Sequence, residues 1–155
     1  MDARVINPFI TVCFSILETI LGEVPQRGAP AAQSVDCTAH QVNVLVGLTG
    51  ALTGNVIYGM PLTTADKIAS VMIGSPVRTF DAMAASAIAE LANMISGNVL
   101  MELSGIGLEC DMTPPTIIRG RNVKMSTLDI PAISIPFNTN VGELTVVVGL
   151  HHMIK

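Results

Sequence analysis

A chain of 155 residues that is 50% hydrophobic, 13% charged and 3% aromatic has room for one domain with a full core. A net charge of −4 with no basic cluster and few rings argues against nucleic acid, which demands phosphate neutralisation and stacking platforms. The mean hydropathy of +0.58 leaves two options, insertion in a membrane or a compact fold that hides further surface in an oligomer.

Asn7-Pro8 predicts a helix start, with Asn as N-cap and Pro at the first helical position. Ile6, Phe9, Ile10, Cys13, Ile16, Leu17, Ile20 and Leu21 then keep the helical period up to Gly22. The stretch makes a poor secretory leader, because Glu18 interrupts the apolar run and Asp2 offsets Arg4. Pro25–Ser34 reads as a loop rich in Pro, Gly and Ala. Val35–Ala39 and Val42–Leu48 read as strands, Thr49–Gly54 as a turn and Asn55–Met60 as a further strand. The uncharged run Val42–Gly59, broken by Asn43, Asn55 and several glycines, is therefore a hairpin and not a membrane span.

Thr63-Thr64-Ala65-Asp66 opens a short helix that buries Ile68, Ala69, Val71 and Met72 and ends at Gly74. Ser75-Pro76 breaks the chain before a long helix, Thr79–Ser104, which Gly105 stops. Leu108–Met112 is a strand and Thr113-Pro114-Pro115 an extended connection. A polar, solvated loop with Arg119, Arg121 and Lys124 leads to two last strands, Leu128–Asn138 and Glu143–His152. Helices combined with antiparallel pairs, without strict βαβ alternation, give a single α+β domain over residues 1–155, an antiparallel sheet packed against helices.

Most sites of chemistry fail at the level of residues. No phosphate loop, dinucleotide fingerprint or nucleophile elbow is present. His40 stands alone, and His151-His152 are adjacent on a strand, so their rings point to opposite faces. Three widely spaced cysteines, Cys13, Cys37 and Cys110, without C-x-x-C, read as reduced, buried thiols of a cytoplasmic protein. Met60, Met72, Met83, Met94 and Met101 read as core fillers.

The long helix is different. Ser86, Glu90, Asn93 and Gly97 recur at i, i+4, i+7 and i+11 and line one face, expected to be exposed. Phe80, Ala87, Leu91, Met94 and Asn98 lie along another, with Met83, Ile88, Ile95 and Val99 also apolar. Glu90 is the only charged side chain between Asp81 and Glu102, and the small residues Ser86 and Gly97 let a partner surface come close. From spacing alone, an ordinary polar face and a recognition face both stay open.

This helix resembles the signature of the CheX/CheC-type chemotaxis phosphatases, [DS]-x-x-x-E-x-x-N, which Ser86, Glu90 and Asn93 match position for position. The runs Thr113–Gly120, Pro131–Phe137 and Gly142–Leu150 are similar to the single-site CheX branch, so the resemblance covers nearly the whole chain. The family also places a proline about two dozen residues on, and Pro114 and Pro115 fall slightly short, 21 and 22 positions after Asn93. CheC-type members carry two such helices; here Ser15–Leu21 has no asparagine in the matching place.

The resemblance implies a CheC-like/CheX-like fold and removal of phosphate from the aspartyl phosphate of a CheY-like response regulator. The regulator would bring its own Mg2+ and a lysine, so no cofactor of the chain's own is implied. Asn93 would orient the attacking water, as a glutamine does in GTPases. Glu90 would pair with the regulator's lysine, and Ser86 and Gly97 would complete the docking face. A homodimer is expected from the apolar content, from such relatives associating through their sheets, and from strand edges such as the terminal hairpin. Two alternatives stand beside this reading: a non-catalytic binding module of the response-regulator or flagellar-switch type, and a hydrolase using Glu90 as general base.

Overall fold

Alternation sets the sheet. Val42, Val44, Val46 and Leu48 point to one side of their strand and are all buried, as are Tyr58 and Met60 on the next and Leu144, Val146, Val148 and Leu150 on the last. The computed structural model describes residues 3–33, 36–38, 40–120, 124–126 and 132–152, with backbone alone at 33, 36–38 and 124–126. Its elements are α1 (Ala3–Leu21), β1 (Gln26–Arg27), β2 (Ala31–Gln33), β3 (Asp36–Thr38), β4 (Val42–Gly50), β5 (Leu52–Met60) and α2 (Leu62–Ile73). They continue with α3 (Ala82–Gly105), β6 (Cys110–Met112), β7 (Thr116–Arg119), β8 (Lys124–Ser126), β9 (Ala132–Thr139) and β10 (Gly142–His152).

The main sheet is antiparallel in the order β1-β9-β10-β5-β4-β6, with β2 also on β9 and β7 also on β4, while β3 and β8 pair separately. The helices pack on one another over this sheet, α3 touching β4, β6 and β7 and α2 touching β10. One core fills the space between the layers, and a small second cluster gathers Ile57, Ala132 and Val147. This is the α+β arrangement expected from the sequence, and Val42–Gly59 is the hairpin it predicted.

Several boundaries differ, each for a physical reason. Helix α1 begins at Ala3, so Pro8 lies inside it and not at its start. Proline forfeits one rung of the ladder, but extending the helix buries Val5 and Ile6, about 1.5–3 kcal/mol each. Within the expected loop at 25–34, β1 and β2 add backbone pairing to β9, a gain that leaves no side-chain pattern to read. Of the turn expected at 49–54 only Ala51 stays outside the strands, because Thr49 and Gly50 pair with β6 and Leu52 and Thr53 with β10; Gly54 sits within β5, where a Cβ would collide with the Gly149 carbonyl of β10.

Helix α2 starts one residue before the expected Thr63, at Leu62, whose N–H donates to Gln41 Oε1 at 3.0 Å. It ends as expected at Gly74, in the left-handed region at φ 85°. Val71, however, is exposed rather than buried. Gly105 is the last residue of α3 rather than its stop, the left-handed turn coming at Gly107 (φ 87°). Met83 and Met101 are exposed, not core. Cys13 is buried as expected, Cys110 is half-buried, and the Cys37 side chain lies outside the described residues. The expected strand residues 35, 39 and 128–131 lie outside them as well. Among the described residues, the terminal hairpin β9–β10 is flanked by β1 and β2 on one side and by β5 on the other.

Helix α1 is long and apolar enough to cross a membrane by length and composition. Here Val5, Phe9, Val12, Cys13 and Leu17 are buried against the helices and sheet.

Candidate functional site

Helix α3 is fixed at its start and on its inner face. Asp81 Oδ1 accepts the N–H of Ala84 at 2.9 Å, capping the first turn. Just before the cap, Arg119 Nη1 donates to the Phe80 carbonyl at 2.8 Å and its guanidinium lies 4.9 Å from the Phe80 ring centre. Arg119, expected in a solvated loop, is thus a clasp from β7 onto the start of α3. On the inner face, Ile88, Leu91, Ala92, Ile95, Val99 and Leu103 are buried. Buried Ser96 shares a 2.7 Å hydrogen bond with Tyr58 of β5, which sets the helix in register on the sheet. Burial pushes the Tyr58 phenol and the neighbouring Cys13 thiol well above their ordinary values.

With that face turned inward, Ser86 and Glu90 are exposed as expected, while Asn93 and Gly97 are half-buried rather than exposed. Neither the Glu90 carboxylate nor the Asn93 carboxamide has a hydrogen bond or ion pair to another described residue. A Cβ placed on Gly97 would meet nothing within 4 Å.

The opposite wall comes from the sheet edge. Leu48 of β4 pairs with Met112 and Leu45 with Thr116. Two residues of β4 therefore face three, Thr113, Pro114 and Pro115, a bulge of one extra residue. The cause is in the sequence, since proline has no N–H to give a ladder. Thr113 anchors the bulge twice: its N–H donates to the Gly47 carbonyl at 2.9 Å, and its hydroxyl accepts the Gly47 N–H at 2.9 Å. A Cβ on Gly47 would stand 3.1 Å from the Thr113 methyl, so the glycine keeps this contact unstrained. Between bulge and helix lies a groove of about 470 Å³ lined by Ser86, Ala89, Glu90, Asn93, Met112, Thr113, Pro114 and Pro115.

The groove holds one carboxylate, one carboxamide and two hydroxyls, with no histidine. Among the described residues no group of three or more His, Cys, Asp or Glu is placed to hold a metal ion. His40 does not stand alone: its Nε2 lies 3.3 Å from Thr145 Oγ1 and 3.8 Å from Glu143 Oε1, away from the groove.

Residues 42–138 match the family model described as chemotaxis phosphatase CheX. The chain belongs to the CheX family. It is 35% identical over 131 residues, 84% of each chain, to a protein of Thermotoga maritima named CheY-P phosphatase CheX. Its fold superposes with a TM-score of 0.89 on a CheC-like superfamily protein of a Shewanella species, at 25% identity and covering 97% of this chain and 99% of that one. With the CheX chain of a CheX–CheY–BeF3–Mg2+ complex from Borrelia burgdorferi the TM-score is 0.82, at 30% identity over 95% and 97% of the two chains.

Within this CheX fold, the sequence brought Ser86, Glu90 and Asn93 together but missed the wall opposite them. The signal was present in Thr113-Pro114-Pro115, a segment that cannot complete a ladder directly after a strand and must bulge away from it.

Proposed function

We propose that the chain is a phosphatase for the aspartyl phosphate of a CheY-like response regulator, with Asn93 and Glu90 as its working residues. What carries the reading is the pairing of a carboxylate and a carboxamide, both unpartnered among the described residues, on one helix face beside a groove open to a partner. The substance named for the Thermotoga maritima relative and the composition of the Borrelia burgdorferi complex support the same substrate and partner.

The chemistry asks little of this chain. Water attacks phosphorus in line, the bond from phosphorus to the aspartyl oxygen breaks, and free carboxylate and inorganic phosphate leave. The Asn93 carboxamide can accept a hydrogen bond from that water through its oxygen and donate to a phosphoryl oxygen through its nitrogen. Glu90, one turn away, pairs with a lysine of the regulator and fixes the register in which Asn93 enters. Mg2+ arrives with the regulator, in keeping with the composition of that complex. Ser86 and Gly97 keep the approach clear.

The general-base reading lacks support, because the groove provides no second acid or histidine beside Glu90. A homodimer and a cytoplasmic setting belong to the same proposal. A mass near the 16.2 kDa of one chain by light scattering at tens of micromolar removes the dimer. The function itself is tested by incubating the protein with a phosphorylated CheY-like regulator and following phosphate. Wild type accelerates release and Asn93→Ala does not; equal rates for both hand the site to the binding-module reading.

A further inference from the structure

The two most exposed large apolar side chains among the described residues are Met101, at 73%, and Met83, at 64%. Single exposed apolar residues are ordinary on any surface. These two are not scattered. At about 100° per residue, positions 83, 90, 94, 97 and 101 fall within about 40° of one line down α3. Met83, Glu90, half-buried Met94, Gly97 and Met101 thus form a single stripe about 27 Å long from end to end, with Asn93 at its flank.

We infer that Met83 and Met101 are the two apolar anchors on which the phosphorylated response regulator docks, one at each end of the Glu90–Asn93 centre. This rests on the phosphatase reading, which requires Asn93 to enter the regulator's phosphorylation site. A stable interface covers roughly 800 Å² on each partner, a disc about 16 Å in radius. Met83 lies about 15 Å along the helix from Asn93 and Met101 about 12 Å in the other direction, at 1.5 Å per residue. A regulator seated on Asn93 with an interface of ordinary size therefore covers both. Between the anchors, Gly97 and Glu90 let the partner backbone approach and set its register. The unbranched thioether suits the role, since it adapts to a partner surface at small steric cost.

The test is a pair of double variants in the full chain, assayed by phosphate release over a range of concentrations of a CheY-like regulator phosphorylated with acetyl phosphate and Mg2+. M83E/M101E places two carboxylates where the inferred contact excludes water, whereas V24E/V71E adds the same charges at exposed residues outside α3. All four positions are exposed, so both proteins fold, which thermal melts verify. The expected result is a KM raised about tenfold or more by M83E/M101E, with kcat within twofold and V24E/V71E like wild type. An unchanged KM for M83E/M101E overturns the inference while wild-type activity keeps the phosphatase reading standing. A loss confined to kcat, or an equal rise for both pairs, also overturns it. So does a change in mass on light scattering for M83E/M101E alone, which gives the stripe to a second copy of the chain. If the wild type releases no phosphate, the phosphatase reading falls and the anchors with it.

Discussion

Helices α1 and α3 lie side by side, are nearly free of charge, and each presents an exposed glutamate, Glu18 on one and Glu90 on the other. What stands beside each glutamate differs. Three residues beyond Glu18 stands Leu21, where α3 has Asn93. Two hydroxyls of α1 turn back on the helix itself, Thr11 to the Asn7 carbonyl and Thr19 to the Ser15 carbonyl, each at 2.9 Å. On α3, Glu90 and Asn93 are left unpartnered among the described residues and face the bulge at Thr113-Pro114-Pro115. An exposed carboxylate on an apolar helix is therefore a poor signal alone. A carboxamide one turn on, and a wall that turns the helix face into a groove, separate the working helix from the packing one.

The largest expected difference between the two helices is catalytic. If Asn93 positions water, Asn93→Ala lowers kcat about 10²-fold or more with regulator binding retained, measured by single-turnover phosphate release alongside equilibrium binding. Leu21→Ala, at the matching place on α1, leaves kcat alone. A loss of binding equal to the loss of rate in Asn93→Ala would mean that the carboxamide docks rather than orients.

Beneath the two helices lies a shared interior that sharpens the comparison by pH. Burial raises both Cys13 of α1 and Tyr58 under α3. The folded chain holds these protons where the unfolded chain, with values near 9 and 10, has lost them. Their contribution is complete below the unfolded values and lost as pH rises above them, on the order of 1 kcal/mol per pH unit for each group. Urea melts from pH 8 to 11 read this slope. Tyr58→Phe flattens the upper part of it, and a slope unchanged in that variant would place its origin elsewhere.

A smaller effect separates the two glutamates. Glu90→Ala raises KM about tenfold, because it removes a charge-assisted contact with the partner. Glu18→Ala, also at an exposed position, leaves KM unchanged. Salt reduces the difference, since an exposed ion pair is screened. Equal effects from the two variants would assign the loss to net charge rather than to the site.

How much of this was legible beforehand depends on where the information sits. The face of α3 follows from period alone, and the alternation of Val42, Val44, Val46 and Leu48 marks the inner side of β4. Helix α1 could not be bounded, because Pro8 is a local signal overruled by the burial of Val5 and Ile6. The short strands β1, β2 and β7 were missed because backbone pairing to β9 and β4 decides them, not their own side chains. Arg119 read as solvated for want of its partner, Phe80, 39 residues away in sequence. Separation in sequence also hid the groove, half of which is a bulge that faces α3 only after β6 and β7 have paired with β4.

Gly97 tests the outer face of α3 most finely. A glycine in the middle of a helix costs about 0.5–1 kcal/mol relative to alanine, and α3 keeps one although a Cβ there would touch nothing in the chain. Its own packing gives no reason for the residue. A partner passing close over the helix does, since the missing methyl lets a second backbone approach. Gly97→Ala is therefore expected to act in two directions: stability in urea rises by about 0.5–1 kcal/mol, while KM for the phosphorylated regulator rises severalfold and kcat holds. Met94→Ala, on the same stripe but half-buried, is expected to lower stability instead. If Gly97→Ala stabilises the fold and leaves KM where it was, no partner backbone crosses α3 at that turn, and the docking contact must lie toward the Met83 end of the helix.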